Sequence, residues 1–437
     1  MAKAQNPVIV VPGITGTSLR DEYPVSPDSV WSQVLNKAYD RIALHPDDIR
    51  YELQQPSLVK ADSAFPLIYA ELVEELRHNL TSTADKPVPV FVFPYDWRQP
   101  LAGSELRLET FVNEVIDRTK LMRHYFNTDW YSAPRVDLVG HSMGGMLIAG
   151  YLERTKKKAR VGKVATIATP FRGSCESVIK ILTGTAMLGP LQPASREREA
   201  ARLTPALYHL TPAYSDAIYD PVNQTDVSGF EVEAWQSGVL DTLCEFIRLN
   251  GVDPGRTAAA RTDEATALLK SMLDEASAYH DRLESLSLDK TELDQSDWLA
   301  IVGVDTKTRI QLPVTGTPGD FHYQLKSDSL VNDWTAAKAS TRTGDGTVPF
   351  QGAEPAFLDR SRLVCLSPSD LGPFELQDRA LLQVAGWHAD LPNVDLVHRL
   401  IVKHFKGEAG DDNVGGRIPP GVAEADWDPP IRNLRPK

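Results

Sequence analysis

The chain has 437 residues, of which 42% are hydrophobic and 24% are charged, so it has the composition of a globular protein with room for two or three domains or one large decorated domain. Asp and Glu number 59 against 46 Lys and Arg, which gives a formal net charge of −13. This acidic balance disfavours a nucleic-acid-binding role, whose usual mark is a basic surface.

Three scattered cysteines, Cys175, Cys244 and Cys365, disfavour a disulfide framework or a zinc cluster and indicate a reducing compartment. The apolar run at 8–11 ends at a proline and is shorter than the roughly 7–15 apolar residues of a secretory signal. The longest weakly charged stretch, 136–152, is interrupted by polar residues and glycines and makes a poor membrane span. We therefore expect a cytoplasmic protein, with export by a signal-independent route as the open alternative.

Short apolar runs rich in β-branched residues recur along the chain, and most lead through a Gly or Pro turn into a helical pattern. This alternation is typical of parallel β-α units. The predicted strands are 8–11, 88–93, 135–139, 164–168, 298–304 and 381–385, and the predicted helices between them include 101–125, 144–155 and 394–405. Continuous apolar strands predict a mostly parallel central sheet with helices on both faces.

The alternation stops after residue 174 and resumes at residue 298. The sequence therefore predicts a core made of residues 1–174 and 298–406, with a large helical cap inserted at 175–297. Residues 407–437 are rich in Pro, Gly and Asp and are expected to form an extended or disordered tail.

The best candidate for a catalytic residue is Ser142, in the segment Gly140-His141-Ser142-Met143-Gly144, which fits G-x-S-x-G. The segment follows a predicted strand and precedes a predicted helix, as this motif requires. Its two glycines suit a sharp turn in which side chains would collide with neighbouring backbone. We expect His141 to be a packing residue, because a neighbour that points away cannot reach the serine.

A nucleophilic serine needs a histidine within hydrogen-bond reach, and that histidine needs a carboxylate to orient it. His388 is the favoured base because it lies between a predicted strand and the last helix, at the sheet edge where catalytic groups gather. Asp345, between two glycines, is the favoured acid, and Asp305 after a predicted strand is its rival. The order Ser142, Asp345, His388 matches that of α/β-hydrolases.

Acyl transfer also requires two N–H donors for the oxyanion. The main-chain N–H of Met143, directly after the nucleophile, is one candidate. The loop at 12–17 follows the first strand and contains two glycines, and we assign the N–H of Ile14 as the second donor. A phosphate-binding role for this loop is disfavoured because the G-x-x-x-x-G-K-[ST] pattern is absent.

Taken together, these motifs resemble the lecithin:cholesterol acyltransferase and lysosomal phospholipase A2 group of α/β-hydrolases. Four signatures carry the resemblance in order: Val11-Pro12-Gly13 with Gly16, Pro94-Tyr95-Asp96-Trp97-Arg98, Gly140-His141-Ser142-Met143-Gly144-Gly145, and Gly344-Asp345-Gly346-Thr347-Val348. The resemblance implies the α/β-hydrolase fold, the triad Ser142, Asp345 and His388, and an acyl ester substrate of lipid type under a cap. The secretion signal and cysteine pairs of the animal members are missing.

Substrate-binding residues are harder to identify than the triad. Trp97 and Arg98 follow the second strand and could line an acyl site, although structural packing explains them equally well. The cap segment 178–191 is dense in apolar residues, among them Leu182 and Leu188, and suits either an acyl tunnel or packing on the sheet. Few basic residues accompany it, so we expect only transient contact with lipid aggregates.

Three functions remain open at this point. The leading one is hydrolysis of acyl esters through an acyl-enzyme, the second is transfer of the acyl group to an alcohol, and the third is a non-catalytic binding protein on a hydrolase scaffold. We expect no cofactor, because no histidines and acids show metal-ligand spacing, and no nucleic-acid partner.

Overall fold

The computed structural model describes residues 4–32, 39–47, 59–184, 195–325, 330–331, 343–372, 386–411 and 413–437. Its centre is a six-stranded sheet in the order β15-β10-β7-β6-β1-β5, in which every neighbouring pair is parallel. The strands are β1 Val8–Val11, β5 Val90–Val92, β6 Val136–His141, β7 Val161–Ile167, β10 Trp298–Gly303 and β15 Val364–Leu366.

Helices cover both faces of this sheet. In chain order they are α1 Tyr39–Ile42, α2 Pro66–Leu80, α3 Leu101–Lys120, α4 Asp129–Ser132, α5 Met143–Thr155, α6 Cys175–Thr183, α7 Ser195–Arg202, α8 Pro205–Tyr208, α9 Ser237–Asn250, α10 Ala258–Glu284, α11 Phe350–Ala353, α12 Trp387–Asp390 and α13 Asp395–Lys406. Successive side chains of a strand point to opposite faces. Ile9 and Val11 accordingly join the apolar core under α3, α5 and the cap, whereas Val8 and Val10 join the core under α2 and α13.

This arrangement confirms the predicted fold class, an α/β-hydrolase fold with a mostly parallel sheet covered on both faces. Five of the predicted strands coincide with sheet strands, whereas 381–385 lies outside the described residues. The three-residue strand β15 was not predicted, because a run of Val-Cys-Leu is too short to show a period.

The cap needs a correction. The segment 175–297 contains α6 to α10, but two of its strands also join two later strands in a small sheet in the order β13-β12-β8-β9, built from β8 Ile218–Asp220, β9 Thr225–Asp226, β12 Leu312–Thr317 and β13 Asp320–Tyr323. Two of these strands follow residue 297, the predicted end of the insertion. They were missed because β8 and β9 are very short and β12 contains Pro313 and Gly316, which indicate turns.

The long cap helix α10 is attached to the core. The Tyr279 hydroxyl donates to the main-chain oxygen of Met146 at 3.0 Å, and Arg282 donates to Glu105 at 3.0 Å and to the carbonyl of Gly150 at 3.1 Å. Met146 and Gly150 both belong to α5, the helix that follows Ser142. The cap and the nucleophile helix are therefore joined by hydrogen bonds, of which the one from Tyr279 is buried.

The remaining strands form small sheets at the periphery. A three-stranded antiparallel sheet contains β2 Thr17–Asp21, β3 Asp28–Trp31 and β4 Val59–Ala64, and a two-stranded ladder pairs β11 Thr308–Arg309 with β14 Leu330–Val331. No helix in the described ranges combines the length and the apolar character that crossing a bilayer requires.

The carboxyl-terminal segment differs from the expected extended tail. Strand β16 Gly415–Gly416 pairs with β17 Arg435–Pro436, and Arg417 forms a bridge with Cys365 on β15. The side chains of Val414, Ile431 and Leu434 are buried in the sheet core. Apolar residues spaced this irregularly among Gly and Pro leave no periodic signal, which is why the packing was not predicted.

Candidate active site

Ser142 stands on a sharp turn between β6 and α5. Its backbone has φ 53° and ψ −129°, a conformation that non-glycine residues rarely adopt and that occurs at functional sites. The neighbouring glycines permit the turn: a Cβ on Gly140 would lie 2.7 Å from the Cα of Gly145, and one on Gly144 would lie 2.2 Å from the main-chain oxygen of Val11. The residue types in the motif thus follow from the close approach of three backbone segments.

His388 lies in the short helix α12, which begins directly after Gly386 with φ 79°. Its Nε2 is 2.9 Å from the Oγ of Ser142, and its Nδ1 is 2.6 Å from Oδ2 of Asp345. All three residues are more than nine-tenths buried, with exposed fractions of 7%, 8% and 1% for Ser142, His388 and Asp345. The three residues predicted from distant parts of the sequence therefore lie within hydrogen-bond distance in series.

Asp345 is held by the turn that carries it. Its Oδ1 accepts hydrogen bonds from the main-chain N–H groups of Thr347 at 2.9 Å and Val348 at 2.7 Å, which leaves Oδ2 to face the imidazole. The rival Asp305 accepts a hydrogen bond from the Ser367 hydroxyl at 2.9 Å instead. Of the two acids, Asp345 is the one that contacts His388.

The loop after β1 lies against the nucleophile. A Cβ on Gly13 would be 2.9 Å from the Cβ of Ser142, so the loop can approach this closely only with glycine there. Across the described residues, neither the N–H of Ile14 nor that of Met143 has a partner outside the regular helices and strands. The loop that contains Ile14 and the start of α5 thus both lie next to Ser142, and the oxyanion role of the two N–H groups stays a prediction.

Comparison with known proteins supports the resemblance found in the sequence. Residues 59–270 match the family model described as lecithin:cholesterol acyltransferase. The predicted resemblance is confirmed. No curated protein sequence matches the chain.

Solved structures also resemble this chain. A structure described as the Tle4-Tli4 complex aligns with a TM-score of 0.56 at 14% identity, covering 93% of this chain and 97% of that one, which shows a shared fold. A lipase from Bacillus licheniformis, BlEst2 in mature form, aligns with a TM-score of 0.34 at 12% identity over 92% of each chain.

Trp97 and Arg98, considered above as substrate contacts, are instead packing residues. The Trp97 indole is 3% exposed and donates to the main-chain oxygen of Thr17 at 3.0 Å. The guanidinium of Arg98 is fully buried and donates to Asp96 and to the carbonyl of Ile42. Their position after a strand suggested the site edge, but both side chains turn into the core to satisfy buried backbone.

The two predicted acyl-site leucines have different outcomes. Leu182 lies on α6 in the apolar core beneath the cap, where it is 8% exposed. Leu188 lies outside the described residues. A lining role for Leu182 therefore remains a prediction.

The sequence missed the side chains that hold the loop at 12–17, which is called the oxyanion loop below for its predicted role. The Tyr69 hydroxyl accepts from the N–H of Gly13 at 2.8 Å, the Tyr95 hydroxyl donates to the carbonyl of Pro12 at 3.0 Å, and the Trp31 indole donates to the carbonyl of Thr15 at 3.1 Å. Only Tyr95 belonged to a recognised motif. Tyr69 and Trp31 have no sequence pattern that separates them from ordinary core aromatics.

Other potential ligand sites lie away from the triad. A cavity of about 890 Å³ opens at the amino ends of β6 and β7, beside Asp137 and Lys163, on the sheet edge opposite Ser142. In the described chain, potential metal-ligand atoms of Glu71, Asp395 and His398 lie within 4.8 Å of one another. Nε2 of His398 already bonds the carbonyl of Pro392 at 2.7 Å, and the two carboxylates are exposed, so we assign no ion there.

Proposed function

We propose that this protein is a serine hydrolase that cleaves carboxylic esters, lipid acyl esters above all, through a covalent acyl-enzyme. The observation that carries the proposal is the continuous hydrogen-bonded series from Ser142 through His388 to Asp345. A hydroxyl, an imidazole and a carboxylate in this order convert a weak alcohol into a nucleophile.

The first half of the reaction acylates the serine. Ser142 Oγ attacks the ester carbonyl while Nε2 of His388 accepts its proton, and Asp345 stabilises the imidazolium and fixes its tautomer through Nδ1. Negative charge develops on the carbonyl oxygen, where the N–H groups of Met143 and Ile14 would donate to it. Collapse of this intermediate expels the alcohol, which takes the proton from Nε2.

The second half releases the acid. A water molecule takes the place of the alcohol, gives its proton to Nε2 of His388 and attacks the acyl carbonyl. The same two N–H groups would hold the second oxyanion, and the proton then returns to Ser142 as the carboxylic acid leaves. The enzyme ends in its starting state, and no cofactor is required.

The lipid nature of the substrate is supported by the family match and not by the triad, which is common to many ester hydrolases. The same match keeps acyl transfer as a second candidate, since the family description names an acyltransferase. Product analysis with a long-chain alcohol in dilute buffer separates the two. Ester formation that exceeds release of free acid would favour transfer.

A fluorophosphonate probe and a chain-length series of nitrophenyl esters test the proposal. We expect the probe to label Ser142, and we expect Ser142→Ala to lose both the label and ester cleavage, with a fall in kcat of up to about 10⁶. Ser18→Ala, which removes a hydroxyl bonded to Ser63 on β4, is the matched control and should keep both. Equal rates of ester cleavage by the wild type and by Ser142→Ala would reject the proposal that Ser142 is the nucleophile of a hydrolase.

A further inference from the structure

Two buried side chains next to the triad, Tyr69 and His141, take no part in the chemistry described above. Tyr69 lies on α2 and is 2% exposed, and His141 is the last residue of β6 and is 4% exposed. The imidazole of His141 lies beside both the Tyr69 ring and the imidazole of His388, with ring centroids 5.8 and 5.3 Å apart. His141 was expected to be a packing residue, yet both of its ring nitrogens make hydrogen bonds.

These bonds connect the oxyanion loop after β1 with the short helix α12, two segments that both contact Ser142. The N–H of Gly13 donates to the Tyr69 hydroxyl at 2.8 Å, the Tyr69 hydroxyl is 2.9 Å from Nδ1 of His141, and Nε2 of His141 is 3.1 Å from the main-chain oxygen of His388. Gly13 belongs to the oxyanion loop, next to Ile14, and His388 is the proposed base.

The chemistry of the end groups fixes the direction of every bond. A main-chain N–H can only donate and a carbonyl oxygen can only accept. The hydroxyl of Tyr69 accepts from Gly13 and is therefore left to donate its own proton to Nδ1 of His141. Nε2 of His141 must then carry the proton that is donated to the carbonyl of His388. A single neutral tautomer of His141 satisfies all three bonds.

The surroundings favour that neutral form. Burial, together with the neighbouring imidazole of His388, lowers the pKa of His141 to about 3. Burial also raises the pKa of Tyr69 above its ordinary value, so the hydroxyl keeps its proton. Both side chains therefore stay uncharged at neutral pH.

We propose that Tyr69 and His141 are positioning residues that hold the oxyanion loop and the short helix α12, which carries His388, in fixed relation next to Ser142. The inference rests on the proposed function for its catalytic consequence. Gly13 and His388 are far apart in the chain, and this series of three hydrogen bonds joins them directly. Because acyl transfer is sensitive to displacements of about 1 Å, loss of the connection should slow the chemical step more than substrate binding.

Three variants test the connection. Tyr69→Phe keeps the ring but removes the shared hydroxyl, so we expect kcat to fall about tenfold to a hundredfold with KM little changed. His141→Asn can still accept from Tyr69, and His141→Gln can still donate to His388, so each should retain more activity than His141→Ala. Tyr69→Phe combined with His141→Ala should lose less than the product of the single losses, because both changes break one series.

The matched control is Tyr323→Phe. Tyr323 is also a buried tyrosine, and its hydroxyl donates to the carbonyl of Ala234 at 2.8 Å within the cap. This variant loses a comparable hydrogen bond but should keep kcat. If Tyr69→Phe behaved like Tyr323→Phe in both kcat and KM, the positioning role would be overturned.

Hydrogen exchange provides a readout that needs no substrate. We expect Tyr69→Phe to speed exchange of the main-chain amides in the loop 13–16 and in α12, without a matching change in the cap. An unchanged exchange pattern would contradict the proposal even if the wild type proved inactive. Failure of the proposed function would show itself differently, as absence of the fluorophosphonate label on wild-type Ser142.

Discussion

At the scale of single residues, two aspartates were candidates for the acid, and only Asp345 contacts His388 among the described residues. Asp305 follows strand β10 and Asp345 lies in a turn between two glycines, so on sequence grounds either could have oriented His388. We expect Asp345→Asn to lower kcat by about 10⁴, because an amide at that position favours the wrong tautomer of His388. Asp305→Asn, which makes the same change in a carboxylate that accepts from the Ser367 hydroxyl, is the matched control. Ester cleavage by both variants is the measurement, and an active Asp345→Asn enzyme would exclude this carboxylate as the acid.

A second residue-scale prediction concerns Gly144. An alanine Cβ would lie 2.2 Å from the carbonyl oxygen of Val11, which cannot move without displacing β1 and the oxyanion loop. We expect Gly144→Ala to cost about 1–3 kcal/mol in the free energy of unfolding and to reduce cleavage strongly. Gly238→Ala on α9 meets no atom within 4 Å, and alanine in a helix should raise stability by about 0.5–1 kcal/mol. Denaturant unfolding compares the two, and equal effects would contradict the steric account.

The sequence predicted the residues of the turn well because the motif encodes a local steric requirement. Gly140, Ser142 and Gly144 are fixed by backbone that is adjacent in the chain. The link through Tyr69 was not predictable, because its partners lie on a distant loop and a tyrosine in an amphipathic helix looks like any core residue. For Trp97 and Arg98 the sequence left substrate contact and packing equally open. Their motif suggested a functional role, but both side chains are buried and bond to the core.

At the scale of elements, Arg202 connects three helices of the cap. Its guanidinium donates to the carbonyls of Ile181 at 3.0 Å and Leu182 at 2.8 Å, near the end of α6, and to the carbonyl of Gly238 at 2.6 Å on α9. Helix ends leave carbonyl groups without partners inside the helix. One buried cation therefore satisfies the end of α6 and joins it to α7 and α9.

We expect Arg202→Met to destabilise the protein by about 2–4 kcal/mol, because buried carbonyls would lose their donor and methionine cannot replace it. Arg248→Met removes an exposed arginine that pairs only with Glu245 three residues earlier, and it should hardly change the unfolding midpoint. Thermal unfolding and limited proteolysis of the cap compare the variants. Similar midpoints for the two would show that this connection does not stabilise the cap.

The elements of the core were predictable because each buried parallel strand is a continuous apolar run. The cap sheet was not, since its strands are held by partners nearly a hundred residues away: Leu312 and Pro313 pair with Ile218 and Tyr219. Strands of two or three residues are too short to show the hydrophobic periodicity from which such a pairing could be predicted.

At the scale of the whole molecule, the edge of the sheet opposite Ser142 contains a buried carboxyl group, Asp137. Burial raises its pKa to about 7, although N–H groups of Asn6 and Lys163 favour the carboxylate. In the unfolded chain an aspartate titrates near pH 3.9. Between these values the folded protein holds a proton that the unfolded chain has lost, so the free energy of unfolding should fall as pH rises.

The stability of wild type relative to Asp137→Asn should therefore decline between about pH 4 and pH 7, by up to about 4 kcal/mol, and level off above pH 7. The variant has no group to titrate at this position, so the difference isolates Asp137. Urea unfolding across this range provides the curves. Parallel curves for the two proteins would show that Asp137 is already ionised at low pH.

The attachment of α10 to α5 has a mechanical consequence. Tyr279 and Arg282 both donate to α5, the helix whose first residue follows Ser142, so α10 is tied to the helix that carries the serine turn. These bonds end on residues four and eight positions after Ser142, so weakening them should loosen the helix that begins at the serine turn.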